Sequence, residues 1–234
     1  MNDEQIKELY QALEDSSFTV TITGAGISIA AGGVTYSGMR SRGARRGMRS
    51  DDPEAMYQYF YQAFLSSMFE HGPTYAHKAL ARLEEMGKMQ GIITTNVDCL
   101  HTMGGSKNVA EIQGSFQTNV CTGCGAWTYG YEIWNHGKMP TCEKCGSTLL
   151  PYNIYSHAGL LTSQLQKAQK WIQQADLILI IGANGSYTHM YWDYKKPDAG
   201  IIQINPGSTY FDRVADLNIR EESDPVFEAL MKME

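Results

Sequence analysis

Apolar positions along the chain fall into short buried runs alternating with helically spaced stripes. Ile6, Leu9, Tyr10 and Leu13 recur at helical spacing among Asp, Glu and Gln, so residues 3–15 read as an amphipathic helix. Phe18–Thr23 is a β-branched run of strand length. Asp51-Asp52-Pro53-Glu54 reads as a helix start, with Pro near the first turn and acids at the positive end of the dipole. It leads an aromatic-rich helical segment to about Phe69. Pro73-Thr74-Tyr75-Ala76-His77 opens a further helix through Met86, in which His77 sits among Ala79, Leu80 and Leu83 as a packing residue. Gly91–Asp98 predicts the second strand, Gln164–Gln174 a helix and Ala175–Ile181 a fully buried strand. Gly200–Pro206 predicts one more strand, and Asp224–Met233 a terminal helix. Apolar strands separated by amphipathic helices predict an α/β fold, a parallel sheet with helices on both faces.

Polar turns close these strands. Val20-Thr21-Ile22-Thr23 runs into Gly24-Ala25-Gly26-Ile27-Ser28 and on to Gly32-Gly33, the layout of a strand, a Gly-rich turn and a helix start. Such a turn can cradle a pyrophosphate, because no side chain at Gly24 or Gly26 blocks close approach; an ordinary tight βα turn has the same look. The second strand ends in Asn96 and Asp98, followed by Cys99 as a small buried residue, and the third in Gly182-Ala183-Asn184-Gly185-Ser186. Polar groups at the carboxyl ends of buried parallel strands are where open α/β sheets place ligand chemistry.

Cys121-x2-Cys124 and Cys142-x2-Cys145 interrupt the α/β order. Each pair places two thiolates on one tight turn, and two such turns complete a tetrahedral Zn2+ site. A redox pair or a disulfide is the alternative, and the doubled spacing favours zinc. Four thiolates leave no open coordination position, so this zinc holds the fold and does no chemistry. His136 lies between the pairs and is not needed to close the shell.

Composition narrows the classes. The 234 residues suit one large domain or one domain with an insert. A net charge of −6 argues against a nucleic-acid partner. No apolar run approaches the roughly 20 residues that span a bilayer, and the acidic start Met1-Asn2-Asp3-Glu4 lacks a signal-peptide pattern, so no membrane partner and a cytoplasmic location are expected. Against this acidic background Arg40, Arg42, Arg45, Arg46 and Arg49 form a basic stretch, either a solvated loop or a flap that contacts an anion.

In order and spacing the motifs resemble the sirtuin family across nearly the whole chain. They are Gly24-Ala25-Gly26-Ile27-Ser28, Thr95-Asn96-Val97-Asp98 with His101, Ile112-Gln113-Gly114, the two cysteine pairs, the Gly182 turn and Ile204-Asn205. The resemblance implies a Rossmann-like NAD-binding domain (1–36, 74–115 and 158–234), a small helical module (37–73) and an inserted zinc ribbon (116–157). NAD would lie in the cleft between them. Asn96 would organise the nicotinamide ribose and Asp98 the carboxamide, with Gln113 completing the catalytic set. Gly24, Ala25, Gly26, Ile27 and Ser28 would hold the pyrophosphate and its riboses, with Val97 beside Asn96. Gly182, Ala183, Asn184, Asn205 and Pro206 would face the adenosine half, and Tyr36 would guard the nicotinamide side.

The departures change the implied chemistry. Sirtuin deacylases carry a catalytic His where this chain has Gln113, and a Gln where it has Thr95. Their Gly-Ile-Pro-Asp-Phe-Arg stretch appears as Gly32-Gly33-Val34-Thr35-Tyr36-Ser37, so an Asp and an Arg are lost, and their Phe-Gly-Glu has no clear counterpart near Tyr155-Ser156-His157. This pattern resembles the macrodomain-linked class M sirtuins, which implies protein ADP-ribosyl transfer, an acceptor of the glycine-cleavage H lipoyl-carrier type and a macrodomain protein as partner. A carboxamide cannot take a proton usefully, whereas breaking the nicotinamide bond needs positioning and electrostatics more than a base. A weak deacylase or NAD hydrolase, and a non-enzymatic NAD or ADP-ribose sensor, are the competing readings.

Overall fold

The computed structural model describes residues 2–33, 52–152 and 159–233. Six parallel strands form the main sheet: β1 (Thr19–Thr23), β2 (Gly91–Thr94), β3 (Val109–Glu111), β7 (Leu177–Ile181), β8 (Gly200–Ile204) and β9 (Leu217–Ile219). Their order is β3-β2-β1-β7-β8-β9. From β1 the chain winds outward in one direction through β2 and β3. After the insert it returns to the other side of β1 and winds outward again.

Period-two alternation sends neighbouring side chains to opposite faces. Leu179 and Ile181 of β7 pack with Ile92 and Ile204 against α1 (Asp3–Asp15), α3 (Tyr75–Glu85) and α6 (Ser223–Leu230), through Leu9, Leu80 and Phe227. Ile178 and Ile180 pack with Val20, Ile22 and Ile93 against Ala168 and Ile172 of α5 (Thr162–Gln174). All five side chains of β7 are buried, and each such Leu or Ile is worth about 1.5–3 kcal/mol relative to exposure. The expected parallel sheet with helices on both faces is therefore present. The α1 start is fixed by a capping box in which Asn2 and Gln5 satisfy each other's backbone N–H.

Between β3 and β7 the chain builds a three-stranded antiparallel sheet in the order β5-β4-β6, from β4 (Thr118–Cys121), β5 (Trp127–Tyr129) and β6 (Leu149–Pro151). A third apolar cluster joins this sheet to α2 (Pro53–Phe60), whose helical path continues through wider turns to His71. Phe60, Phe116 and Trp134 meet edge to face, with Phe116 and Trp134 5.0 Å apart at 90°. Val97 and Leu100, from the turn after β2, reach into the same cluster.

The elements differ from the sequence expectation in three respects. The segment after Gly24 is a 3-10 helix, Ala25–Ala31, which Gly32 ends in the left-handed region at φ 75°. Strand β2 stops at Thr94, which leaves Asn96 and Asp98 in the turn beyond it. Strands β3 and β9 went unread because each is three residues long and presents no apolar run. Val34, Thr35, Tyr36, Ser37, the arginines at 40–49, Asp51 and Tyr155-Ser156-His157 lie outside the described residues.

Candidate functional site

Where the winding direction reverses, between β1 and β7, two Gly turns pack on each other. Gly24 donates its N–H to Ile181 O at 3.2 Å, and Gly26 donates to Gly182 O at 2.9 Å. A Cβ on Gly26 would lie 2.5 Å from Gly182 Cα, and one on Gly182, which has φ +57°, would lie 2.4 Å from Ile27 N. Glycine is thus required for these two turns to touch, besides any role toward a ligand. A crevice outside the carboxyl ends of the strands at such a reversal is the usual ligand position of an open α/β sheet.

The turn after β2 closes onto this crevice. Asn96 Nδ2 donates to Gly24 O at 3.1 Å and to Ser28 Oγ at 3.3 Å. Ser28 Oγ donates to Asp98 Oδ2 at 2.7 Å, and Asp98 Oδ1 accepts the Leu100 N–H at 3.1 Å. Asn96, Asp98 and Ser28 are buried. The array therefore joins the first and second strand ends through a chain of side-chain hydrogen bonds. Val97 turns its side chain into the apolar cluster, and its carbonyl accepts the Phe116 N–H at 3.1 Å. Cys99, buried as expected, adopts φ 57°, a conformation rare outside glycine and a local strain beside Asp98. Burial pushes its thiol pKa well above the ordinary value, so it is no nucleophile at neutral pH.

Gln113 stands one strand over, half-buried in the turn that follows β3. That turn is tied at both ends. Ile112 donates to Thr94 O at 3.2 Å, Gly114 to Glu111 O at 2.8 Å, and Leu161 to Ile112 O at 2.9 Å. Ser115 Oγ closes the turn by donating to Glu111 Oε2 at 2.6 Å. On the far side of β1, Ala183 is buried and Asn184 and Pro206 are exposed. Asn205 Nδ2 donates to Ala183 O at 3.3 Å, which ties the β7 and β8 turns together. Asn184 Oδ1 accepts from the Ser186 N–H at 3.1 Å and hydroxyl at 2.8 Å. Of the residues expected at the cofactor, Gly24, Ser28, Asn96 and Asp98 form one bonded array. Gly182, Ala183 and Asn205 form a second patch beside it.

Sequence reasoning missed Glu111. Its residue keeps some surface, yet its carboxyl lies deep, and burial raises its pKa to about 7; the Ser115 hydroxyl opposes this and Asp98 adds to it. The only signal was a Glu at the carboxyl end of a strand too short to be recognised. The threonines behind Asn96 were missed for a similar reason, since they read as ordinary β-formers. Thr94 Oγ1 accepts the Asn96 N–H at 3.0 Å and the Thr23 hydroxyl at 2.8 Å.

The four module cysteines converge. Their sulfurs lie within 4.8 Å of one another, with Cys121 and Cys145 3.4 Å apart and Cys124 and Cys142 3.8 Å apart. A tetrahedral Zn2+ with Zn–S bonds of about 2.3 Å needs sulfurs about 3.8 Å apart, so the set fits the metal. The two knuckles match: Gly125 donates to Cys121 O at 3.1 Å and Gly146 to Cys142 O at 2.8 Å, at φ 70° and 74°. Cys121 Sγ also accepts N–H groups from Gly123 and Cys124, each at 3.4 Å, as suits a thiolate ligand. Cys121, Cys124, Cys142 and Cys145 would hold Zn2+ with no position left for a substrate, which makes the site structural.

Comparison with known proteins agrees with this geometry. The chain is 32% identical to the NAD-dependent protein deacetylase 1 of Pyrobaculum aerophilum, over 97% of this chain and 94% of that one. It is also 32% identical to an NAD-dependent protein deacylase of Pyrococcus furiosus, over 96% of each. A Sir2 homologue solved in complex with NAD superposes with a TM-score of 0.82 at 28% identity, over 97% of this chain and 93% of that one. A structure from work on sirtuin substrate affinity gives 0.83 at 26% identity, over 100% and 99%. The Sir2 family model matches residues 24–188, and with the reversed parallel sheet, the Asn96–Ser28–Asp98 array and the paired cysteine knuckles behind that match, the chain belongs to the Sir2 family, the sirtuins.

Proposed function

We propose that this sirtuin cleaves the nicotinamide–ribose bond of NAD and transfers ADP-ribose to a protein acceptor, as a class M member of the family. The observation that carries this reading is Gln113, at the end of β3, in the place where the deacylase pattern has its catalytic His. Deacylation needs a ribose hydroxyl to be deprotonated after nicotinamide has left, and a positioned base contributes about 10²–10⁴ in rate to such a step. An amide can hold ribose hydroxyls by hydrogen bonds but cannot supply that base.

The first step asks for what this chain retains. Gly24, Ala25, Gly26, Ile27 and Ser28 would hold the pyrophosphate side, Asn96 and Val97 the nicotinamide ribose, and Asp98 the carboxamide. Gly182, Ala183, Asn184, Asn205 and Pro206 would line the adenosine half, and Tyr36 would cover the nicotinamide. Buried, prebonded polar groups lose little reorganisation energy when charge develops on the ribose. The acceptor nucleophile then bonds to the ribose carbon, and its proton passes to solvent. We place a lipoyl-carrier protein of the glycine-cleavage H type as the acceptor and a macrodomain protein as the partner, on the strength of the class M pattern.

One observation favours a second reading, weak NAD-dependent deacylation. Glu111 is a buried carboxyl with a pKa of about 7 two residues before Gln113, and relatives of the chain are named deacetylases and deacylases. Asn96→Ala tests the reaction common to both readings. It removes two side-chain hydrogen bonds at the crevice and no apolar core contact. Nicotinamide release from NAD is expected to become undetectable while the circular dichroism spectrum stays unchanged; wild-type release from the folded variant would move the reaction centre elsewhere.

A further inference from the structure

The turns after β1 and β2 run into helices, a 3-10 helix and α4 (Leu100–Met103). The turn after β7 instead carries Asn184-Gly185-Ser186 at the same carboxyl edge, with Asn184 and Ser186 exposed. Asn184 is the only asparagine of the chain followed by Gly. The others precede Asp, Val, His, Ile or Pro, so a side chain crowds the next backbone nitrogen or, at Pro, its N–H is missing. Gly185 has φ 97°, a conformation suited to glycine alone. Asn184 Oδ1 accepts the Ser186 N–H at 3.1 Å and the Ser186 hydroxyl at 2.8 Å, so two donors converge on the side-chain carbonyl. Among the described residues neither the Gly185 N–H nor Asn184 Nδ2 donates a hydrogen bond.

These are the parts of an intramolecular acyl transfer. Hydrogen bonds to a carbonyl oxygen hold the oxyanion that forms when a nucleophile adds to its carbon. Bonding Gly185 N to Asn184 Cγ closes a five-membered ring, and both nitrogens are free to react. We propose that Asn184-Gly185 is a self-modifying site, converted to an acid with water as co-reactant, and that the new charge weakens cofactor binding at this turn. The second half rests on the placement of the adenosine half of NAD argued above. The first half does not.

Hydroxide takes the Gly185 amide proton. The nitrogen bonds to Asn184 Cγ, and the carbonyl electron pair moves to Oδ1, where the two Ser186 donors hold the charge. The carbonyl re-forms as the Cγ–Nδ2 bond breaks; Nδ2 takes a proton from water and leaves as ammonia, which returns the hydroxide. Water then adds to one carbonyl of the cyclic imide and breaks its bond to nitrogen. Opening on the Cγ side gives aspartate, and opening on the main-chain side gives isoaspartate, with the chain rerouted through Cγ. Either product carries a carboxylate at neutral pH where the amide stood. The pyrophosphate of NAD is itself anionic, so the conversion adds like-charge repulsion. Bound adenosine would in turn cover the turn and slow the conversion.

The test holds the full chain in mildly alkaline buffer and weighs its peptides at intervals. Amide-to-acid conversion is expected at Asn184 ahead of every other asparagine, with aspartate and isoaspartate both formed. Ser186→Ala keeps the backbone donor and removes the hydroxyl, and is expected to slow conversion about threefold to tenfold, the worth of one hydrogen bond. Asn184 still amidated after several weeks, or converting no faster than the other asparagines, overturns the site. An unchanged rate in Ser186→Ala overturns the part given to the hydroxyl. The same incubation with saturating ADP-ribose, which presents the adenosine half without the nicotinamide bond, tests the link to the cofactor. Conversion is expected to nearly stop, and Asn184→Asp is expected to raise the KM for NAD severalfold with kcat held within about twofold. Equal rates with and without ADP-ribose, or an unchanged KM, overturn that link and leave the self-modification standing. Wild-type protein that leaves NAD intact would refute the proposed reaction, and protection by ADP-ribose would still decide whether the adenosine half lies at Asn184.

Discussion

Imidazole and carboxamide fill similar space at the end of β3, but only imidazole exchanges a proton near neutral pH. In the proposed reaction Gln113 would therefore hold the ribose without driving the later hydroxyl attack. Gln113→Ala is expected to lower ADP-ribosyl transfer by the worth of one hydrogen bond, about 0.5–1.5 kcal/mol, and so by roughly tenfold at most. Loss of all transfer in a folded Gln113→Ala protein would assign the residue a role beyond holding the ribose. Glu111 offers a second check, on stability. Burial raises its pKa from 4.5 to about 7, so the folded state holds this proton more tightly than the unfolded chain. Its stabilising contribution is complete below pH 4.5 and is lost as pH rises through about 7. Glu111→Gln is expected to raise stability at pH 8 by on the order of 1–3 kcal/mol and to match the wild type near pH 4. Urea unfolding at the two pH values measures this, and equal stabilities at pH 8 would show that the carboxyl is not desolvated.

At the scale of elements, the two cysteine knuckles hold the ends of a three-stranded sheet whose own apolar cluster is small, centred on Cys121, Cys142 and Leu149. Metal binding is then folding energy for that sheet. One zinc per chain is expected by elemental analysis, and Cys142→Ser or a strong chelator is expected to loosen the module. Trp134 reports the change: it is fully buried against Phe60 and Phe116, and its Nε1 donates to Asn119 Oδ1 at 3.0 Å. Its fluorescence should shift to the red on metal removal; an unchanged spectrum with the metal gone would make the knuckles dispensable. The elements also show what the sequence could reveal. The all-apolar β7 and the helical stripe of α1 declare themselves, because burial on both faces or on one stripe leaves a period in the residues. The paired knuckles declare themselves by ligand spacing. Strands β3 and β9 do not, since Val109-Ala110-Glu111 and Leu217-Asn218-Ile219 are strands only by virtue of the neighbours they pair with. Thr23 and Thr94 are hidden on the same grounds: they bond each other across two strands, and a hydrogen bond across elements has no linear signature.

Across the whole molecule, the Asn96 array, the Gly24–Gly182 contact and the Gln113 turn all occupy the carboxyl edge of one sheet, at the point where its winding reverses. The aromatic cluster of Phe60, Phe116 and Trp134 ties α2 and the cysteine module to the turn that carries Asn96, so both smaller modules bear on the same edge. That convergence is the physical basis for expecting one reaction centre, and under the proposed function Gln113 would set the choice between acyl peptide and protein acceptor. The direct test offers both acceptors at once. The wild-type protein is incubated with NAD, an acetylated peptide and a lipoyl-carrier protein of the glycine-cleavage H type, and both acceptors are weighed by intact-mass spectrometry while nicotinamide is counted. The account predicts ADP-ribose on the carrier, nicotinamide released in equal amount and the peptide still acetylated. Deacetylated peptide in step with nicotinamide, and an unmodified carrier, would contradict it.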